Sequence, residues 1–195
     1  QFAPPLARLV GARPSEVVLM NTLTVNLHLM LVSFYRPRPG RYRILMEAAA
    51  FPSDRYAVVS QLRLHGLEPA DALVEVAPRE RETLLRTEDV LAAIERHADA
   101  LALVLLPGVQ YLSGQLLDVA AVTAAARRAG ACVGWDLAHA IGNVPLALHD
   151  WGADFTVWCS YKYLCGGPGA IAGAFVHERH ARDASLPRLA GWWGH

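Results

Sequence analysis

Leu101-Ala102-Leu103-Val104-Leu105-Leu106, the segment Asp118 to Gly130, and Ala131-Cys132-Val133-Gly134-Trp135-Asp136 together decide the fold. The first run is continuously apolar, as in a strand buried on both faces. Asp118 is a helix N-cap, the helix ends on basic residues at Arg128, and Gly130 is its stop. Ala131–Trp135 then reads as another strand. Strand, helix and strand in that order describe one crossover unit of a parallel sheet.

The same alternation extends in both directions. Val17–Met20 and Ile44–Glu47 are strand-like, and Thr22 to Phe34 can be helical. Ser53 to His65 reads as a helix with Ser53 or Asp54 near its N-cap and Gly66 past its end. Ala72–Val76 is a strand. The charge run Arg79 to Arg86 reads as a solvated connection, and Thr87 as the N-cap of a helix over Glu88–His97. Phe155–Cys159 and Ile171–Val176 complete the strands. The expected class is α/β, a mainly parallel sheet with helices on both faces.

Composition narrows the function. The chain has 195 residues, 53% hydrophobic, with formal net charge zero, so it is neither disordered nor electrostatically suited to nucleic acid or an anionic membrane. The uncharged stretch Val17 to Tyr35 contains Asn21, Asn26 and His28, which favours a buried soluble segment over a membrane span. Cys132, Cys159 and Cys165 are odd in number and lack CxxC spacing, as in reduced thiols of a cytoplasmic protein. No metal site is expected. Gln1 and the aromatic end at His195 read as cut ends, so a fragment is expected.

Seventeen arginines accompany a single lysine, Lys162. Arginine can replace a surface lysine, but not one whose amine must act as a nucleophile. Lys162 stands just past a strand end, in Cys159-Ser160-Tyr161-Lys162-Tyr163. Asp136 ends another strand, and His139 follows three residues later. In open α/β sheets the ligand lies beyond these carboxyl ends. Gly166-Gly167-Pro168-Gly169 comes next and permits close backbone approach to a ligand. A lysine plus an acid in such a crevice suits pyridoxal phosphate: the amine condenses with its aldehyde, and the carboxylate keeps its ring nitrogen protonated. Asn21-Thr22-Leu23-Thr24, between strand and helix, offers N–H and hydroxyl donors to the phosphate. Each residue also has a plainer reading: Asp136 as a loop cap, His139 as a core histidine, the glycines as a turn, Lys162 as a surface survivor. Their convergence on one sheet edge weighs against those readings jointly.

Asn21-Thr22-Leu23-Thr24-Val25-Asn26, Phe51-Pro52-Ser53-Asp54, Asp136-Leu137-Ala138-His139, Ser160-Tyr161-Lys162-Tyr163-Leu164 and Gly191-Trp192-Trp193-Gly194-His195 resemble the kynureninase family of fold-type-I pyridoxal-phosphate enzymes. The resemblance implies that 1–195 is the large cofactor-binding domain, truncated at both ends. It implies that Lys162 holds the cofactor aldehyde, Asp136 the ring nitrogen, with Asp54 and His139 close by. Phe51, followed by Pro52 and Ser53, would stack on the ring, Leu23 and Thr24 would meet the phosphate, and Tyr161 would reach it and move a proton. Trp192 would reach the cofactor of the neighbouring subunit of a homodimer. The implied reaction is hydrolytic cleavage of L-kynurenine, or its 3-hydroxy form, to anthranilate or 3-hydroxyanthranilate and L-alanine in tryptophan catabolism. The family's substrate-carboxylate arginine belongs to a smaller C-terminal domain absent here. Pro107, Gln110 and Cys165 depart from the family's Ser, His and Asn. The alternatives are another fold-type-I lyase, such as a cysteine desulfurase, and a non-catalytic remnant that binds cofactor or dimerises.

Overall fold

Along the chain run α1 (Ala3–Val10), β1 (Val17–Leu19), α2 (Leu23–Phe34), β2 (Arg43–Glu47), α3 (Pro52–Leu64), α4 (Pro69–Ala72) and β3 (Leu73–Val76). They continue with α5 (Thr87–Arg96), β4 (Leu101–Pro107), α6 (Val119–Arg128), β5 (Cys132–Asp136), α7 (Leu148–Trp151), β6 (Phe155–Trp158) and β7 (Gly173–Val176). This computed structural model describes residues 2–189, so Trp192 and its Gly-Trp-Trp-Gly-His run lie outside the described residues.

One seven-stranded sheet has the order β1-β7-β6-β5-β4-β2-β3. The pairs β2–β3, β2–β4, β4–β5 and β5–β6 are parallel, whereas β7 runs antiparallel to both β6 and β1. The expected class holds, with one reversed strand near an edge. Two apolar cores cover the two faces. One gathers side chains of α1, α5 and α6 around Leu106, Val133 and Trp135. The other gathers α2 and α3 around Ile44, Leu103 and Phe155. From Leu101 to Leu106 every residue of β4 is buried, as a strand covered on both sides must be. Helix α2 buries Leu27, Met30, Leu31 and Phe34, the spacing of one helical face.

Close packing explains Gly134. A Cβ there would lie 2.2 Å from Phe155 Cζ, so only glycine lets the Phe155 ring lie flat on β5. Trp135 donates its indole N–H to Thr123 Oγ1 at 3.0 Å, which ties β5 to α6.

Several local expectations need correction. Helix α3 starts at Pro52, with Phe51 at the N-cap position and no side-chain cap, so Ser53 and Asp54 belong to its first turn. Proline at the first helical position supplies the fixed φ that a cap side chain would otherwise help to set. Thr87 is already helical, and Arg86 precedes it without a side-chain cap. Asp118 does cap α6, accepting from Ala121 N at 2.9 Å. The last strand begins at Gly173, not Ile171. The uncharged stretch from Val17 splits into β1 and α2, and no described helix is long and apolar enough to cross a membrane.

The β1 edge is fastened by Glu16. Its carboxylate accepts from Arg13 N at 2.8 Å, His149 Nδ1 at 2.9 Å and Glu178 N at 2.9 Å. His177 Nδ1 is also close, 3.7 Å away. With the carboxylate already met by three donors, this Glu-His-His group acts as a hydrogen-bonded hub for the N-terminal segment.

Candidate active site

The sheet's switch point lies between β2, whose onward connection leads to β3 on one side, and β4 on the other. A cleft of about 640 Å³, counted with its space open to solvent, sits at the strands' carboxyl ends there. That is the place expected of a ligand pocket in such a sheet. Leu23, Thr24, Phe51, Ser53, Asp54, Asp136, His139, Tyr161 and Lys162 all line it. Pro52 does not; it is exposed and sets the start of α3.

Asp136 terminates β5 in register with Pro107 of β4 and is 7% exposed. Its Oδ1 accepts from Ala138 N at 2.7 Å, so the acid also caps its own loop, as the plainer reading held. Lys162 follows β6, the neighbour of β5, and its Nζ lies 2.9 Å from His139 Nε2. Burial and the Lys162 cation hold the His139 imidazole below its ordinary value, so at neutral pH it is an uncharged acceptor. Lys162 Nζ also stands 5.6 Å from the centre of the Phe51 ring and 5.8 Å from that of Tyr161.

Asp54, 6% exposed, faces Asp136 from α3. Burial, reinforced by the adjacent Asp136 carboxyl, pushes it up to about 9, so it carries a proton at neutral pH. Two carboxyls held together cannot both ionise cheaply. Asp54 Oδ1 is buried and has no hydrogen-bond partner among the described residues. A ligand with a cationic N–H at this floor would satisfy both features. A protonated pyridine ring is such a ligand.

The opposite end of the cleft suits an anion. Asn21 takes φ 49°, the left-handed turn that asparagine tolerates, and swings the chain from β1 into α2. Asn26 Nδ2 donates to Met20 O at 2.9 Å, and Asn21 Nδ2 to Asn26 Oδ1 at 3.1 Å, which rivets that turn. Thr22 accepts from Val25 N at 3.5 Å. The amides of Leu23 and Thr24 precede any helical acceptor. Thr24 Oγ1 and Ser53 Oγ are 3.0 Å apart, so the N-termini of α2 and α3 meet there and concentrate positive dipole ends.

Burial, reinforced by the nearby Cys159 thiol, raises the Tyr161 hydroxyl above its ordinary value, which keeps its proton in place at neutral pH. The Gly166–Gly169 turn is a correction: none of its residues lines the cleft. Gly166 N donates instead to Ser160 O at 2.9 Å, and a Cβ at Gly166 would stand 2.9 Å from that same oxygen. Among described residues its close approach is to its own chain. Sequence reasoning missed Glu47 and Tyr111, which also line the cleft. An acid ending the apolar run Ile44-Leu45-Met46 was the available signal for Glu47. The Tyr111 ring stands edge-on to Phe51 at 5.2 Å.

The aminotransferase class-V family matches residues 5–187. Kynureninase of Nematostella vectensis is 61% identical over 190 residues, 97% of this chain and 41% of its own length. Kynureninase of Flavobacterium johnsoniae is 60% identical over 195 residues, 100% of this chain and 46% of its own. The chain thus spans less than half the length of these curated relatives. Among solved structures, an apo cysteine desulfurase from Thermococcus onnurineus NA1 aligns with TM-score 0.76 at 20% identity, over 91% of this chain and 42% of its own. A C-DES mutant with glycine linked to its PLP cofactor aligns with TM-score 0.78 at 19% identity, over 97% and 48%. These structural likenesses concern the fold alone.

Proposed function

The chain belongs to the aminotransferase class-V family, and on that premise we propose that it is the cofactor-holding part of a pyridoxal-phosphate-dependent enzyme that cleaves L-kynurenine or 3-hydroxykynurenine. The observation that carries the proposal is the amine of the only lysine in a cleft whose floor is the buried Asp54 and Asp136 pair. The kynureninase relatives near 60% identity support the substrate class. Residues 1–195 are then most of the large domain, and a cytoplasmic homodimer, with Trp192 reaching the neighbouring site, belongs to the same proposal.

Lys162 would hold the cofactor's aldehyde, Asp136 and Asp54 its ring nitrogen, Phe51 its ring face, and Leu23, Thr24 and Ser53 its phosphate. When bound, pyridoxal phosphate supplies an electron sink for bonds broken at the substrate's Cα and Cβ. The chain's own residues do the rest. Lys162 Nζ is the base for the Cα proton, and neutral His139 accepts its hydrogen bond. Asp136 would be the acid partner of the ring nitrogen. Tyr161, with its proton retained, is the acid beside the carbon that leaves as alanine. Phe51 and Tyr111 pack edge-on and form one wall of the cleft.

The test is steady-state turnover of the full-length protein with L-kynurenine and cofactor, followed by the appearance of anthranilate and alanine. Release of alanine from cysteine with persulfide formation, and none from kynurenine, would replace this reading with the desulfurase one.

A further inference from the structure

The cleft holds a third buried acid for which neither the motif residues nor the lysine chemistry has a use. Glu47 ends β2 at the switch point, is 3% exposed, and lines the same cleft as Asp54, Asp136 and Lys162. Its Oε1 accepts from Gln110 Nε2 at 3.4 Å. Gln110 is itself pinned: Nε2 also donates to Ala49 O at 3.1 Å, while Oε1 accepts from Leu112 N at 2.7 Å and Ser113 N at 2.8 Å. Its carboxamide cannot turn over without losing both amides. Glu47 is therefore always offered an N–H, which favours its charged form.

We propose that Glu47 is a positioning residue of the cofactor site: its carboxylate, oriented by Gln110, is a third acid beside the Asp54 and Asp136 pair and keeps the proton on Asp54. The proposal rests on reading the cleft as a pyridoxal-phosphate site. Asp54 and Asp136 face each other at the cleft floor, and a third buried charge there disfavours loss of the Asp54 proton. Burial and Asp136 raise the proton affinity of Asp54 most, Lys162 opposes them, and Glu47 adds a smaller push in the same direction as Asp136. The other titratable groups facing this cleft are His139, after β5, and Tyr161 and Tyr111 in the loops after β6 and β4. Burial lifts the Glu47 carboxyl to about 6, partly offset by Gln110, so its charge is present at neutral pH and lost in mild acid.

The experiment compares the pyridoxal phosphate dissociation constants of full-length wild type and Glu47→Gln between about pH 5 and pH 8. Glutamine keeps the size and an oxygen for Gln110 to meet, and removes only the charge. The ratio of the two constants cancels the cofactor's own ionisations. It is expected to be near one at the acid end and to rise about tenfold by the alkaline end, as Glu47 ionises in wild type alone. Glu47→Asp, which restores the charge, should recover part of that gap, and Glu47→Met, which also removes the charge, is the fallback variant if Glu47→Gln folds poorly. A ratio that is raised but constant with pH would reduce Glu47 to a packing role, and a ratio of one throughout would remove it from the site. Borohydride labelling of Lys162 in both proteins separates these outcomes from failure of the underlying reading. Absence of the label in wild type overturns that reading and this proposal together.

Discussion

Lys162 Nζ and His139 Nε2 lie 2.9 Å apart although the two residues leave from the ends of different, adjacent strands. The imidazole is held uncharged by burial and by the lysine's cation, so it can accept from the amine without competing as a second cation. His139→Leu removes that acceptor and keeps the bulk. Turnover should fall by about 10²-fold, with a slower approach to the cofactor-loaded state in stopped-flow absorbance. His139→Asn, which retains an acceptor, should lose less. Equal loss in both variants would mean that the ring's shape matters and its hydrogen bond does not.

Asp136→Asn preserves the loop contact to Ala138 N and removes the charge. Kynurenine turnover should drop by orders of magnitude, while cofactor affinity weakens less. Measuring kcat and the cofactor dissociation constant on one preparation decides the matter. Near-wild-type kcat would end the charge-balancing role.

Asp54 and Glu47 make stability depend on pH in an unusual direction. Both carboxyls are raised in the folded protein, to about 9 and about 6, so the folded state keeps protons that the unfolded chain gives up above about pH 4. Their contribution is complete below about pH 4 and is lost as pH rises from there through those values. The Tm of cofactor-free protein should therefore decline between about pH 5 and pH 9, and Asp54→Asn should flatten the decline. A Tm that rises over that interval, in wild type, would contradict the protonated Asp54.

Thr24 and Ser53 bring two hydroxyls to one point where α2 and α3 begin. Thr24→Val keeps the shape and deletes one donor to the proposed phosphate. Cofactor affinity should weaken by about 1.5–3 kcal/mol, the usual worth of a hydrogen bond to a charged group. Affinity for pyridoxal, which lacks the phosphate, should not change. Isothermal titration with both compounds tests this, and equal losses for the two would place the phosphate elsewhere.

The sheet was legible because its core strands are written plainly. Leu101–Leu106 reads as a doubly buried strand, and Asp118 and Gly130 bracket the next helix. The reversed direction of β7 was not legible, because antiparallel pairing of Gly173–Val176 with Phe155–Trp158 depends on tertiary placement. Helices α4 and α7 have four residues each, too short for any helical period to show. At the site, the residues found were the lone lysine, rare in this chain, and the acid and imidazole that sit at strand ends. Glu47 and Tyr111 were missed because their role comes from the β2–β4 switch point, a relation between segments more than fifty residues apart in sequence. Gln110, noted only as a departure, emerges as the clip that joins those two segments.

The central claim is that the Lys162 amine holds pyridoxal phosphate. Because Lys162 is the single lysine of these 195 residues, borohydride reduction of the cofactor-loaded full-length protein followed by peptide mass spectrometry tests it directly. The account predicts one pyridoxyl adduct, on the peptide containing Ser160-Tyr161-Lys162, and its loss together with turnover in Lys162→Arg. An adduct on a lysine outside this chain's residues, or a loaded protein with no reducible adduct, would contradict it.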